Sequence, residues 1–223
     1  FWDGGVKNLK SLSFAPLKHP DEMGANLTLL CQKLSLHKKY APLFKKVTQT
    51  DTIMSRDIGH VLAQYLHTLV SLNSRYDLFL KGKVSLTEGE LQGKKIFDLH
   101  CQSCHQAPLF TDFEYHNNGL DSVYNNDYES IAWGYGRITL RSEDKGKFKT
   151  PSLRNIMLSA PYMHDGRFSS IEDVLEHYHQ GILKSATLDS RLKEGIKLNS
   201  QDRIALLQFL STLTDSSFLS RTE

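Results

Sequence analysis

The chain has too few cysteines for a disulfide framework: three in 223 residues, at positions 31, 101 and 104, where small secreted scaffolds carry an even set. Nor does it have charge of one sign to spare. Lys plus Arg number 27 and Asp plus Glu 25, so neither nucleic acid nor an anionic membrane surface is expected as a partner. No apolar run approaches the roughly 18 residues of a membrane-spanning helix, and no repeat or low-complexity tract is present. Strand-like alternation is scarce and short. The first residue is Phe1 rather than Met and no signal sequence precedes it, which raises the expectation of further chain upstream. These absences leave a helical globular chain, long enough for one large domain or two small ones.

Helical signals are plentiful. Residues 56–70 place Ile58, Val61, Leu62, Tyr65 and Leu69 on one face. Thr87, with Glu90 three residues on, forms a capping box that predicts a helix running into Cys101. Residues 170–178, capped by Ser170, read as a third helix, and residues 200–213 as a fourth with Leu206, Leu207, Leu210 and Leu213 inward. Between Ala107 and Thr150 the chain is rich in Asn, Asp and Gly, which predicts a long loop with a small hairpin. The composition shift at Leu80–Ser85 predicts a boundary between an N-terminal segment, residues 1–82, and a C-terminal one, residues 83–223.

The sharpest motif is Cys101-Gln102-Ser103-Cys104-His105. C-x-x-C-H attaches a c-type haem: two thiols form thioethers to the porphyrin vinyl groups and the adjacent imidazole meets the iron. A redox pair or half a zinc site would use the same two thiols. A fourth cysteine and a thioredoxin-like strand pattern are both missing. Cys31, in the apolar run Leu27, Leu29, Leu30 and Leu34, reads as a small buried hydrophobe. For the sixth iron ligand two residues stand out. Met163 lies in Ala160-Pro161-Tyr162-Met163-His164-Asp165-Gly166, and Tyr178 shares a helical face with Ile171, Val174 and Leu175. Periodicity alone equally allows Tyr178 to be a core tyrosine, and it turns the flanking His177 and His179 away from that face. Arg137 and Lys149 could neutralise haem propionates, and His116 could stabilise the loop; each serves equally well as a surface or loop side chain. His37, His60 and His67 fall on solvated helix faces.

Taken in order, several landmarks resemble the bacterial di-haem cytochrome c peroxidases and their MauG-type relatives. They are Phe1-Trp2-Asp3-Gly4, Ala15-Pro16-Leu17, His19-Pro20-Asp21-Glu22-Met23-Gly24, the haem motif, Pro108-Leu109-Phe110-Thr111-Asp112, Phe148-Lys149-Thr150-Pro151-Ser152-Leu153-Arg154-Asn155, and Ala160 through Arg167. The resemblance implies an all-α, cytochrome c-like haem domain with a partial second cytochrome c-like helical domain. It implies haem c as cofactor: one in this chain, the electron-transfer haem, and a second, peroxidatic one upstream. Glu22 then corresponds to the acid/base carboxylate over the peroxidatic iron, Pro16 to a residue of the same pocket, and Trp2 to the tryptophan between the haems. Tyr178 falls where peroxidases usually carry methionine and MauG-type enzymes tyrosine, which makes it the distal ligand, with Met163 as the alternative. Ser159 and Pro161 fall where relatives offer backbone carbonyls to a calcium ion.

Three positions depart from the pattern: Gly5, Leu12 and Leu99 stand where relatives often have arginine, glutamine and, in MauG, a tryptophan that passes holes to a protein substrate. The implied activity is periplasmic reduction of hydrogen peroxide to water with electrons from a small cytochrome c or cupredoxin. The alternatives are a MauG-type oxidation of a partner protein and a mono-haem electron carrier. No turnover is expected of this chain alone, and a homodimer is one expected assembly.

Overall fold

The structure, a computed structural model, describes residues 1–220, so the last three residues of the expected second domain lie outside it. Contacts divide the chain into two units, residues 6–70 and residues 1–5 with 71–223.

The smaller unit holds α1 (Leu9–Lys18), α2 (Leu27–Leu36), α3 (Tyr40–Thr48) and α4 (Ser55–Thr68). Asn8 and Asn26 start the first two helices by accepting backbone N–H groups with their side chains. α4 packs on α1 through Ile58, Gly59 and Ala63, and the Phe14 ring lies over Gly59, where an added Cβ would meet it at 2.6 Å. Tyr65 and Leu69, expected inward, are exposed, because the face toward α1 runs through Ile58 and Ala63 instead. Cys31 is only partly buried on α2.

The larger unit is built on α6 (Glu88–His100) and α9 (Ser200–Ser211), joined by α5 (Arg75–Leu80), α7 (Gly136–Thr139), α8 (Ile171–Glu176) and α10 (Ser216–Leu219). Capping boxes open α5, α6, α8 and α9: Ser74 with Asp77, Thr87 with Glu90, Ser170 with Asp173 and Asn199 with Asp202. α6 and α9 cross at Gly93, where a Cβ would lie 1.9 Å from the Ala205 carbonyl oxygen, so only glycine lets the backbones approach this closely. Around the crossing, Tyr76, Phe97, Phe110 and Phe209 pack at ring separations of 5.0–6.5 Å with Leu206, Leu210 and Leu213. Leu207, expected inward, sits at the edge of this core. The only sheet among the described residues pairs β1 (Tyr115–His116) antiparallel with β2 (Phe148–Lys149), which makes the predicted hairpin long-range.

The division falls at 70/71 rather than at 82/83. α5 is held by the larger unit: the Tyr76 N–H donates to the Thr212 carbonyl (3.0 Å) and Asp77 pairs with Arg154 (2.8 Å). The Leu80–Ser85 composition marks a surface turn. Residues 1–5 join the same unit through β2, whose Lys149 N–H donates to the Trp2 carbonyl (2.7 Å).

The crossing gives a direct test. Gly93→Ala forces the two helices apart and lowers stability by about 1–3 kcal/mol, read from denaturant midpoints, whereas Lys95→Ala on the exposed face of α6 changes it by less than about 0.5 kcal/mol.

Candidate haem-binding site

α6 ends as the haem motif begins. The Cys101 N–H closes the helix on Phe97, and the N–H groups of Cys104 and His105 both donate to the Cys101 carbonyl (3.2 and 2.9 Å). This turn gathers two sulfurs and an imidazole at the end of a rigid helix. His105 Nδ1 lies 3.0 Å from the Phe110 carbonyl. Donating there, it leaves Nε2 with the free lone pair that a metal needs. Burial lowers the proton affinity of His105, against the pull of that carbonyl, so the ring is held neutral.

Burial, with Cys104 nearby, pushes the Cys101 thiol up to about 12, and burial raises Cys104 as well.

Tyr178 lies near Cys101 and Cys104. α8 stops at Glu176, and residues 177–181 continue as one wide π-helical turn, a local widening common at functional sites. Burial pushes the Tyr178 phenol up, against the hydrogen bond from Asn118, so it stays protonated unless a cation stands beside it. Cys101, His105 and Tyr178 are each half-buried, and the donors available (two thiols, a neutral imidazole and a phenol) fit a c-type haem in the cleft these residues would line.

Met163, the other candidate ligand, adjoins this cleft: its sulfur accepts from Asn118 Nδ2 (3.3 Å), and the same nitrogen lies 3.5 Å from the Tyr178 hydroxyl. The expectation for His177 is overturned. The wide turn rotates it inward, where it is 6% exposed and its Nε2 meets the Asn118 carbonyl at 2.9 Å. His179 stays half-buried, with Nδ1 3.0 Å from the Ile196 carbonyl.

Polar pairings that the sequence did not reveal hold the motif in place. His116 stands between carboxylates, Nε2 at 2.9 Å from Asp112 and Nδ1 at 2.8 Å from Asp189. Arg191 pairs with Asp189 (2.7 Å) and donates to the Ser103 carbonyl inside the motif (3.2 Å). Cys104, Asp112 and His116 also form the one metal-like donor group among the described residues.

A second clamp lies below. Arg154 grips Asp77 with two 2.8 Å bonds, donates Nε to the Pro108 carbonyl (2.8 Å) and lies over the Phe110 ring. Burial alone would raise Asp77, but the bonds from Arg154 and Ser74 outweigh it and hold the carboxyl at about 2.

The remaining expected site residues lie elsewhere. Trp2 is 54% exposed and lines a shallow pocket with Phe1, Phe148 and His164. Glu22 is exposed in the turn after α1, its N–H donating to the His19 carbonyl (3.1 Å). Ser159 and Pro161 are exposed beside a 3-10 turn at Ile156–Leu158. Arg137 pairs with Asp3 at 3.5 Å and Lys149 lies over the Phe113 ring. Leu99 is 77% exposed.

Residues 1–85 match the family model for di-haem cytochrome c peroxidase. The chain is 33% identical to the methylamine utilization protein MauG of Methylorubrum extorquens, covering 95% of this chain and 60% of that protein. It is 31% identical to the cytochrome c551 peroxidase of Nitrosomonas europaea, covering 96% and 61%. It thus spans about three fifths of the length of these relatives. Among solved structures it superposes on a MauG-like protein associated with microbial copper homeostasis, with a TM-score of 0.85, 28% identity and coverage of 98% and 74%. The diheme peroxidase BthA from Burkholderia thailandensis shares the fold, with a TM-score of 0.75 at 22% identity and coverage of 98% and 66%.

Breaking the lower clamp has a measurable signature. Arg154→Leu strands a buried carboxylate and destabilises the protein by about 3–5 kcal/mol at neutral pH. Because the folded-state pKa of Asp77 is depressed from 3.8 to about 2, the stability that the ion pair contributes to the wild type is present above the upper value and lost as pH falls through the lower one. The difference between the two unfolding curves should therefore shrink as pH falls through that window, leaving the share carried by the Pro108 and Phe110 contacts.

Proposed function

We infer, from the chain's membership of the di-haem cytochrome c peroxidase and MauG family, that it holds the electron-transfer haem of a periplasmic two-haem enzyme that reduces hydrogen peroxide to water. The observation that carries this reading is the turn that ends α6, which gathers Cys101, Cys104 and a His105 imidazole held at Nδ1 by the Phe110 carbonyl, with Tyr178 near the two sulfurs. When bound, haem supplies reversible one-electron chemistry.

The residues of the chain have separate tasks. Cys101 and Cys104 would anchor the porphyrin covalently, and His105, aimed by the Phe110 carbonyl, would offer Nε2 to the iron. Tyr178 would offer an oxygen. An anionic oxygen donor favours higher oxidation states, where methionine would favour the reduced form, so this centre is suited to share oxidising equivalents. Glu22 takes a proton from one oxygen of hydrogen peroxide and returns it to the departing oxygen, so that cleavage releases water rather than hydroxide. Trp2 carries electrons between the two cofactors, and a small cytochrome c or cupredoxin supplies the two electrons that each peroxide consumes. The carbonyls of Ser159 and Pro161 suit a calcium ion, which takes oxygen ligands.

Tyr178 also favours a second reading, oxidation of a protein partner in the MauG manner; Leu99 leaves that reading without the tryptophan exit route. Two measurements on the full-length, haem-loaded protein separate these cases. Peroxide-dependent oxidation of a reduced small cytochrome c is expected, reduced about 10²–10⁴-fold by Glu22→Gln. Absence of such turnover, with peroxide-driven oxidation of a neighbouring protein instead, would overturn the peroxidase reading. Tyr178→Phe is expected to change the ferric spectrum of the six-coordinate haem, and an unchanged spectrum would remove Tyr178 from the iron.

A further inference from the structure

Asn118 stands between the two side chains able to serve as sixth ligand, and nothing in the function proposed above assigns it a role. Its amide nitrogen lies 3.3 Å from the Met163 sulfur and 3.5 Å from the Tyr178 hydroxyl oxygen. A primary amide carries two N–H bonds, so it can donate to both at once.

The backbone holding this amide is clamped on every side. The carbonyl of Asn118 is engaged by His177 Nε2 at 2.9 Å. On one side, Asn117 is 1% exposed, and its amide nitrogen lies 2.8–3.2 Å from the hydroxyls of Tyr124, Ser185 and Thr187 while its backbone carbonyl accepts from the Asp189 N–H (3.0 Å). On the other, Gly119 has φ +74°, donates to the Asn117 side chain (2.8 Å) and accepts from Leu183 (2.8 Å). The Ile182 side chain would meet a Cβ on Gly119 at 2.6 Å, so the turn needs glycine for both its φ and its space. A polar side chain fixed this firmly, beside the cleft and aimed at two donor atoms, has the character of a preorganised support for a metal ligand.

We propose that Asn118 is a positioning residue that decides which side chain reaches the iron: one N–H occupies the Met163 sulfur and holds the thioether off, while the other steadies the Tyr178 oxygen for ligation. His177 contributes by fixing the Asn118 backbone, which explains why the wide turn after α8 rotates this histidine inward. Met163 is thereby a ligand in reserve, its sulfur occupied by a hydrogen bond.

The proposal rests on the reading of Tyr178 as ligand, and the experiment separates failure of one from failure of the other. In the full-length, export-matured protein, the ferric spectrum and the midpoint potential are recorded for Asn118→Leu, Met163→Leu, the double variant and Tyr178→Phe. Asn118→Leu frees the thioether, so a near-infrared methionine–iron band should appear and the potential should rise, since a methionine ligand favours the reduced iron. The double variant should lose that band, and Met163→Leu alone should keep the wild-type spectrum. Should Asn118→Leu fail to take up haem, Asn118→Ala and its pair with Met163→Leu make the same comparison with less bulk. A wild-type spectrum and potential in the Asn118 variants, alongside an altered Tyr178→Phe, would overturn the role of Asn118 while leaving Tyr178 on the iron. A methionine band that persists in the double variant would overturn the assignment of Met163. An unchanged Tyr178→Phe spectrum would sink both readings.

Discussion

One hydrogen bond, between His105 Nδ1 and the Phe110 carbonyl, decides what the haem motif can do. It fixes the imidazole tautomer and leaves Nε2 as the ligand atom. For that bond to be reliable, Phe110 has to stay in place, and the larger unit is arranged around that requirement. The Phe110 ring is 2% exposed within the aromatic cluster formed where α6 and α9 cross. Arg154 lies over it, tied to Asp77 and to the Pro108 carbonyl two residues upstream. The chain therefore meets its ligand histidine from two rigid sources: the end of a helix and a loop pinned by a buried ion pair.

The polar groups of the site divide by task. The Arg191–Asp189–His116–Asp112 chain holds the motif against the wrapping loop, and Arg154–Asp77 holds the loop against α5. Asn118 faces the cleft itself. The apolar core supplies burial, which keeps His105 neutral and raises the Cys101, Cys104 and Tyr178 protons. A deprotonated tyrosine is tolerable in such surroundings only beside a cation, so the cleft that suits Tyr178 as a phenol in isolation suits it as a phenolate beside ferric iron.

Features encoded by near neighbours were legible in the sequence. The Thr87–Glu90 and Ser170–Asp173 boxes set their helices where periodicity and capping placed them. Features encoded by distant partners were not legible. Arg154 and Asp77 stand 77 residues apart and Asn118 and Tyr178 60 apart, and no local pattern announces either meeting. A helical period of 3.6 turns His177 outward, whereas the wider turn here brings it in. Composition registers the polar surface turn at Leu80–Ser85 and cannot register that α5 packs on the larger unit.

The account stands on covalent haem at the Cys101–His105 pentapeptide. Proteolysis of the export-matured protein followed by mass spectrometry tests this most directly. The account predicts that the peptide spanning Cys101 to His105 carries the mass of one haem and that its two cysteines resist alkylation under reducing conditions. A peptide of unmodified mass, with both thiols free to alkylate, would contradict it.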